Sequence, residues 1–168
     1  MAVLDILQFP DSRLRKVAEP IQDYPDEYRG LVADMIETMY DASGIGLAAT
    51  QVNRHLRVFV MDLSETHDAL QVFANPKITV TNAEKGIHQE GCLSIPGVYE
   101  DIARPLGVTI AAQNEQGEPF ELALTDLAAV CVQHEVDHLD GKLFVDYLSA
   151  LKRQRIRRKM EKAQRQSA

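Results

Sequence analysis

Residues 133–141, QHEVDHLDG, constrain this chain more than any other stretch. Two histidines four apart, His134 and His138, flank Glu135, and Gly141 follows three residues after the second. On a helix, positions i and i+4 lie one turn apart on the same side. His134 and His138 can then grip one ion, with Glu135 projecting beside it. The flanking residues predict a helix over 125–141: Thr125 stands at the N-cap, Asp126 in the first turn, and Gly141 as the C-terminal stop. Leu127, Cys131, His134 and His138 share one face, apolar toward its start and polar toward its end. An apolar face carrying two imidazoles suggests a metal site at the base of a pocket. The competing reading is two solvated histidines near a helix C-terminus, where the dipole favours them. H-E-x-x-H on a helix favours the metal.

Two histidines do not make a catalytic site, which takes three protein ligands and one open position. The extended motif H-E-x-x-H-x-x-G-x-x-H fails here, because Phe144 stands where its last histidine would be. The only glutamate downstream is Glu161, inside a basic tail where a solvated ion pair is expected; nothing singles out Asp140 or Asp146. Upstream, HQEGCLSIPG (88–97) offers Cys92, with His88 and Glu90 as rivals. A lone cysteine reads as a small buried apolar residue. A helix that supplies two imidazoles and lacks a third ligand shifts the balance toward Cys92, since mixed cysteine and histidine sets occur at catalytic metals. Cys131, one turn before His134, reads as structural, packing or lining the pocket.

The rest of the chain sets the frame. Its 168 residues suit one domain. A content of 45% hydrophobic and 26% charged residues fits a soluble globular protein. The opening MAVLDILQFPDSR lacks a basic n-region and does not read as a signal peptide. No stretch has the length to span a bilayer. Cys92 and Cys131 form no disulfide framework, so a reducing cytoplasm is the expected setting.

Helical pattern begins at YPDEYRGLVADMIETMYDASG (24–44), with Pro25 in its first turn, a stripe through Leu31, Met35 and Met39, and Gly44 as its stop. LRVFVMDL (56–63) reads as a buried strand, and VFANPKITV (72–80) as a second, interrupted by Pro76. Residues 107–125 read as a hairpin turning at Asn114–Gly117. After the helix at 125–141, another is expected from Tyr147 to about Gln164. Helix, strands, helix, helix predicts an α+β fold with mainly antiparallel sheet.

GIGLAATQ (44–51) formally matches G-x-G-x-x-A, but a helix precedes it and a strand follows, the reverse of a dinucleotide site. Gly44, Ile45 and Gly46 read either as a helix stop and turn or as an extended edge that a ligand's backbone can approach. Gln51 adds an amide able to donate to an oxyanion. Charge is uneven. Residues 152–165 carry +7, so the remainder carries −14 of the net −7. The body repels phosphate backbones, which argues against DNA, while the tail attracts them.

GIGLAATQ, EGCLS and QHEVDHLDG, in this order and at these separations, resemble bacterial peptide deformylase. The resemblance covers nearly the whole chain, including ILQFPDSRLRKVAEPI and CLSIPGVYEDIARP. It implies an α+β domain with the H-E-x-x-H helix among antiparallel strands: residues 1–147 as the metallohydrolase body, 148–168 as a basic C-terminal helix of the same domain. It implies removal of formyl from the formyl-methionine of nascent chains, releasing formate. By motif, Cys92, His134 and His138 would be the ligands and Glu135 the general acid/base. Gln51 and the Leu93 backbone N–H would form the oxyanion hole. The implied metal is Fe2+, with Zn2+, Ni2+ or Co2+ as substitutes. An apolar slot for methionine would be lined by Ile45, Leu127, Val130 and Cys131, and the following peptide would pair along Gly44–Gly46 and Gly97–Tyr99. The resemblance also implies that the basic C-terminal helix docks on the ribosome.

Overall fold

The computed structural model describes residues 2–167. Its plan follows from one short strand, β2 (Val58–Met61), whose four side chains are all buried. Alternate residues of a strand point to opposite faces. Val58 and Val60 pack with Val32, Met35 and Met39 of the first helix, α1 (Asp26–Asp41). Phe59 and Met61 pack with Ala129, Cys131 and Val132 of the helix carrying the two histidines, α2 (Asp126–Leu139). The sheet is thus sandwiched between two helices, which is why β2 reads as an unbroken apolar run.

Around β2 the sheet is antiparallel in sequence order: β1 (Gly46–Ala48), β2, β3 (Gln71–Cys92), β4 (Ile95–Gln113) and β5 (Pro119–Thr125). The expected α+β class with antiparallel sheet is what the chain adopts, in a single domain. The turn at Asn114–Gly117 closes the β4–β5 hairpin, with Asn114 N–H on Glu118 O at 2.9 Å.

Several boundaries differ from expectation. Pro76 does not interrupt β3, which runs on to Cys92. The proline falls in a register break between Ala74 and Lys77, where Asn75 has φ +48°. The Asn75 side chain accepts from Ile21 N–H at 2.8 Å and donates to Ile21 O at 3.0 Å. A bulge absorbs the missing donor, so the strand survives its proline. Beyond the stretch paired with β5, Lys85–Cys92 and Ile95–Pro105 form a two-stranded ribbon. Its register shifts bend it until its tip meets α2.

Pro25 is the N-cap of α1, not part of its first turn. That helix also stops earlier than Gly44. Ser43, at φ +57°, takes the left-handed position, and Gly44 N–H bonds back to Met39 O at 2.9 Å. The chain emerges from this cap directly into the β1 edge. Tyr147 belongs to a 3-10 turn, Phe144–Tyr147, and the last helix, α3, spans Ala150–Ser167. Only Ile156 and Met160 of α3 are buried, one turn apart, against Leu7, Phe9, Phe144 and Val145. Among the described residues, no helix is long and apolar enough to cross a membrane.

Candidate metal centre and active site

α2 follows β5 without a loop. Thr125 holds the N-cap position but makes no capping bond; its hydroxyl lies 3.4 Å from Asp126 Oδ2. The far end closes at Gly141, φ +77°, whose N–H reaches His138 O at 3.1 Å while Lys142 N–H reaches Asp137 O at 2.8 Å. A Cβ at Gly141 would collide with the Arg15 carbonyl, so this cap needs glycine for two reasons.

The two imidazoles meet edge to face, with Nε2 atoms 3.1 Å apart. Cys92, at the tip of the β3–β4 ribbon, places Sγ 3.3 Å from His138 Nε2. One donor atom from each of Cys92, His134 and His138 lies within 4.8 Å of the others. The rivals Glu90 and His88 are not in this group. Glu90 instead accepts from His134 Nδ1 at 2.9 Å.

The surroundings fit a cation at this spot. The bond to Glu90 places the His134 proton on Nδ1 and leaves the Nε2 lone pair facing the cluster. Burial pushes His138 well below its usual value, keeping it a neutral donor. Ser94 N–H and Gln51 Nε2 approach Cys92 Sγ at 3.4 and 3.5 Å, so two donors point at the sulfur and fix its place. Burial also acts to lower His134, yet its hydrogen bonds to Cys92 and Glu90 outweigh that and hold it well above its ordinary value. A cation bound at Nε2 would take the place of the second ring proton. One thiolate and two imidazoles suit a late first-row divalent ion.

Support comes from a buried charge network that the sequence reading did not find. Arg104 of β4 binds both Glu90 oxygens, at 2.5 and 2.9 Å, and Asp137 Oδ2 at 2.9 Å. Tyr147 O–H donates to the same Asp137 oxygen at 2.7 Å, and the Arg104 guanidinium lies 4.9 Å from the Tyr147 ring centre. Burial opposes ionisation of Glu90, but His134 and Arg104 together pull its carboxyl below the usual range. The network locks the His134 ring onto the face of α2 that meets Cys92. Ser94, also missed, holds Gln51 Nε2 at 3.0 Å, while Gln51 Oε1 accepts from Ala48 N–H at 2.9 Å. The carboxamide is oriented at both ends.

Beside the imidazoles opens a cavity of about 530 Å³. Gly44, Ile45, Gly46, Gln51, Cys92, Leu93, Leu127, Val130, Cys131, His134 and Glu135 all line it, while His138 lies behind. Glu135 is almost fully buried, and its Oε2 has no hydrogen-bond partner among the described residues. Burial pushes its carboxyl up to about 7. A Cβ at Gly46 would come within 3.1 Å of that carboxylate and 3.3 Å of Cys131 Sγ, so glycine makes room for the Glu135 side chain. β1 is an edge strand, paired only with β2. Ile45 O already accepts from Asp62 N–H at 2.9 Å, so by ladder alternation the Gly46 peptide groups point outward along the cavity.

Helix, ribbon and edge strand together define a class first: a metal-dependent hydrolase built on an H-E-x-x-H helix within an antiparallel sheet. Comparison then gives the family. The Polypeptide deformylase family matches residues 3–154. A peptide deformylase of Azotobacter vinelandii strain DJ is 58% identical over 166 residues, 99% of this chain and 99% of that protein. Another, from Acinetobacter baumannii strain SDF, is 57% identical over 166 residues, 99% and 94% of the two chains. Among solved structures, a peptide deformylase from Legionella pneumophila superposes with TM-score 0.93 at 44% identity, covering 99% and 98%. One from Ehrlichia chaffeensis, in complex with actinonin, gives 0.94 at 37%, covering 98% and 99%. The chain belongs to the polypeptide deformylase family.

Proposed function

We propose that this chain carries out the family's reaction with Cys92, His134 and His138 as ligands of one divalent ion and Glu135 as its general acid/base. The reaction is removal of the N-formyl group from newly made polypeptides. One observation carries the assignment: a thiol and two imidazoles converge beside a buried, unpartnered carboxylate oxygen at the base of a cavity. The ion we assign is Fe2+, with Zn2+, Ni2+ or Co2+ able to take its place. When bound, it supplies Lewis acidity that generates a nucleophile from water near neutral pH.

Every other task falls to the chain. Glu135 takes the proton of the attacking water. The burial that raises its carboxyl suits it to hold that proton and pass it to the departing amine nitrogen. Gln51 Nε2 and the Leu93 backbone N–H receive the negative charge that grows on the formyl oxygen; one such donor is worth roughly 3–4 kcal/mol of barrier. Orientation of the Gln51 amide by Ala48 and Ser94 means that little reorganisation is needed. Ile45, Leu127, Val130 and Cys131 offer an apolar slot for the methionine side chain. The peptide beyond it pairs with the outward groups of Gly46, extending the sheet by one strand.

The setting we infer is cytoplasmic, with the exposed cations of α3 contacting ribosomal RNA by counterion release. Lys152, Arg155, Arg157, Arg158, Lys159 and Lys162 are all exposed. Truncating α3 would also remove Ile156 and Met160 from the core. Reversing Arg155, Arg158 and Lys162 to Glu is therefore the cleaner probe: ribosome co-sedimentation at low salt should fall, and unchanged co-sedimentation refutes the contact.

Anaerobically purified protein incubated with a formyl-Met peptide and an unformylated peptide tests the reaction itself. Formate from the first and no new termini from the second is expected; internal cleavage without formate would make the chain an endopeptidase. Glu135→Gln should retain its metal and lose about 10²–10⁴-fold in rate.

A further inference from the structure

A buried carboxylate at the far side of the β1 edge plays no part in the scheme above. Asp62 directly follows β2 and is only 3% exposed. Its Oδ1 accepts from Ser64 N–H at 2.8 Å and Ser64 Oγ at 2.6 Å. Its Oδ2 accepts from Tyr40 O–H at 2.5 Å. Asp62 also donates its own N–H to Ile45 O. Ser64 Oγ in turn accepts from Asp68 N–H at 3.0 Å, and the Tyr40 ring stacks on His67 at 4.3 Å. Hydrogen bonds from Ser64 and Tyr40 hold the Asp62 carboxyl down at about 2. Burial and the bond to Asp62 push the Tyr40 phenol up to about 12. Across any assay pH the pair is a carboxylate accepting from a neutral phenol.

The placement of these bonds matters more than their strength. Tyr40 lies in the last turn of α1, just before the Ala42–Gly44 cap, and Asp62 lies just after β2. The Tyr40–Asp62 bond therefore ties together the chain on both sides of Ile45, the residue that leads into β1. β1 is three residues long and pairs on one side only. So short an edge frays unless its ends are anchored.

We propose that Tyr40 and Asp62 are positioning residues that hold the Ile45–Gly46 edge in register to receive the peptide backbone beyond the formyl-methionine. Neither touches the reacting atoms; both act through Ile45. The ordering of the edge is thereby completed in the free protein and is not charged to substrate binding. The effect should fall on KM for peptides that run along the edge, and not on kcat or on the shortest substrate. This rests on the peptide-pairing reading given under Proposed function.

The experiment compares formyl-Met-Ala-Ser with formyl-Met alone, on metal-loaded wild type, Tyr40→Phe, Asp62→Ala and the double variant. Tyr40→Phe should raise KM for the tripeptide about 3- to 10-fold and leave kcat within about twofold. KM for formyl-Met should stay within about twofold. Asp62→Ala should do more, and the double variant no more than Asp62→Ala, because Tyr40 acts through that carboxylate. Equal losses on both substrates, a fall confined to kcat, or additive effects would overturn the proposal. Should Asp62→Ala not fold, Tyr40→Phe decides alone. Hydrogen exchange in substrate-free protein gives a second readout: the Asp62 and Leu47 amides should exchange faster in Tyr40→Phe, and unchanged exchange overturns the tether. Wild type that releases no formate from either substrate would sink the deformylase reading itself, while the exchange data still judge the tether.

Discussion

α2 and α3 are both amphipathic helices rich in polar residues, and the fold treats them in opposite ways. α2 lies inside the molecule, and His134, Glu135 and His138 are all buried. α3 lies on the outside, buries Ile156 and Met160, and leaves its cations in water. Desolvating a charge is expensive, so each buried polar group of α2 needs a partner in a fixed place. Glu90 serves His134, Arg104 serves Glu90 and Asp137, and Glu135 keeps one oxygen free at the cavity. The cations of α3 need no such provision. Its one internal pair, Arg157 with Glu161 at 3.4 Å, is exposed and worth about 0.3–0.5 kcal/mol. Chemistry is therefore expected on the helix whose polar groups were costly to bury.

The contrast can be broken by substitution. The largest effect should come from the donor that α2 borrows from the ribbon. Cys92→Ala should abolish bound metal in elemental analysis of purified protein, and full retention would remove Cys92 from the ligand set. Next comes Arg104→Met, which strands Glu90 and Asp137. It should cost about 3–5 kcal/mol in denaturant unfolding, and a loss below about 1 kcal/mol would mean that the network is not needed to carry those charges. Met160→Ala should cost about 2–5 kcal/mol by opening a cavity under α3, with unchanged metal content and formate release; a change in either would couple α3 to the site. Smallest is Arg158→Ala on the exposed face, expected within about 0.5 kcal/mol of wild type by the same unfolding measurement.

Much of the site was legible in the chain because its spacing is local. His134 and His138 share a helix face by periodicity alone, and Gly141 marks the end of that helix because glycine readily takes the left-handed stop position. The α+β class was legible from the order of patterns. The length of β3 was not, because Pro76 reads as a strand breaker until the Asn75 side chain is seen bonding Ile21. Nor was the part played by Glu90. As a sequence feature it competes with Cys92 for the metal, and its pairing with His134 and Arg104 depends on how the ribbon bends.

Sequence alone thus determined which helix would carry the imidazoles, which face they would share, and which thiol was available to join them. These follow from helical repeat and from the chemistry of the side chains. Only tertiary structure decided that Cys92 reaches His138, that Arg104 sits beneath both carboxylates, and that Asp62 ties down Ile45. Contacts between residues distant in the chain depend on strand register and bulges, and these are settled by packing of the whole sheet between α1 and α2.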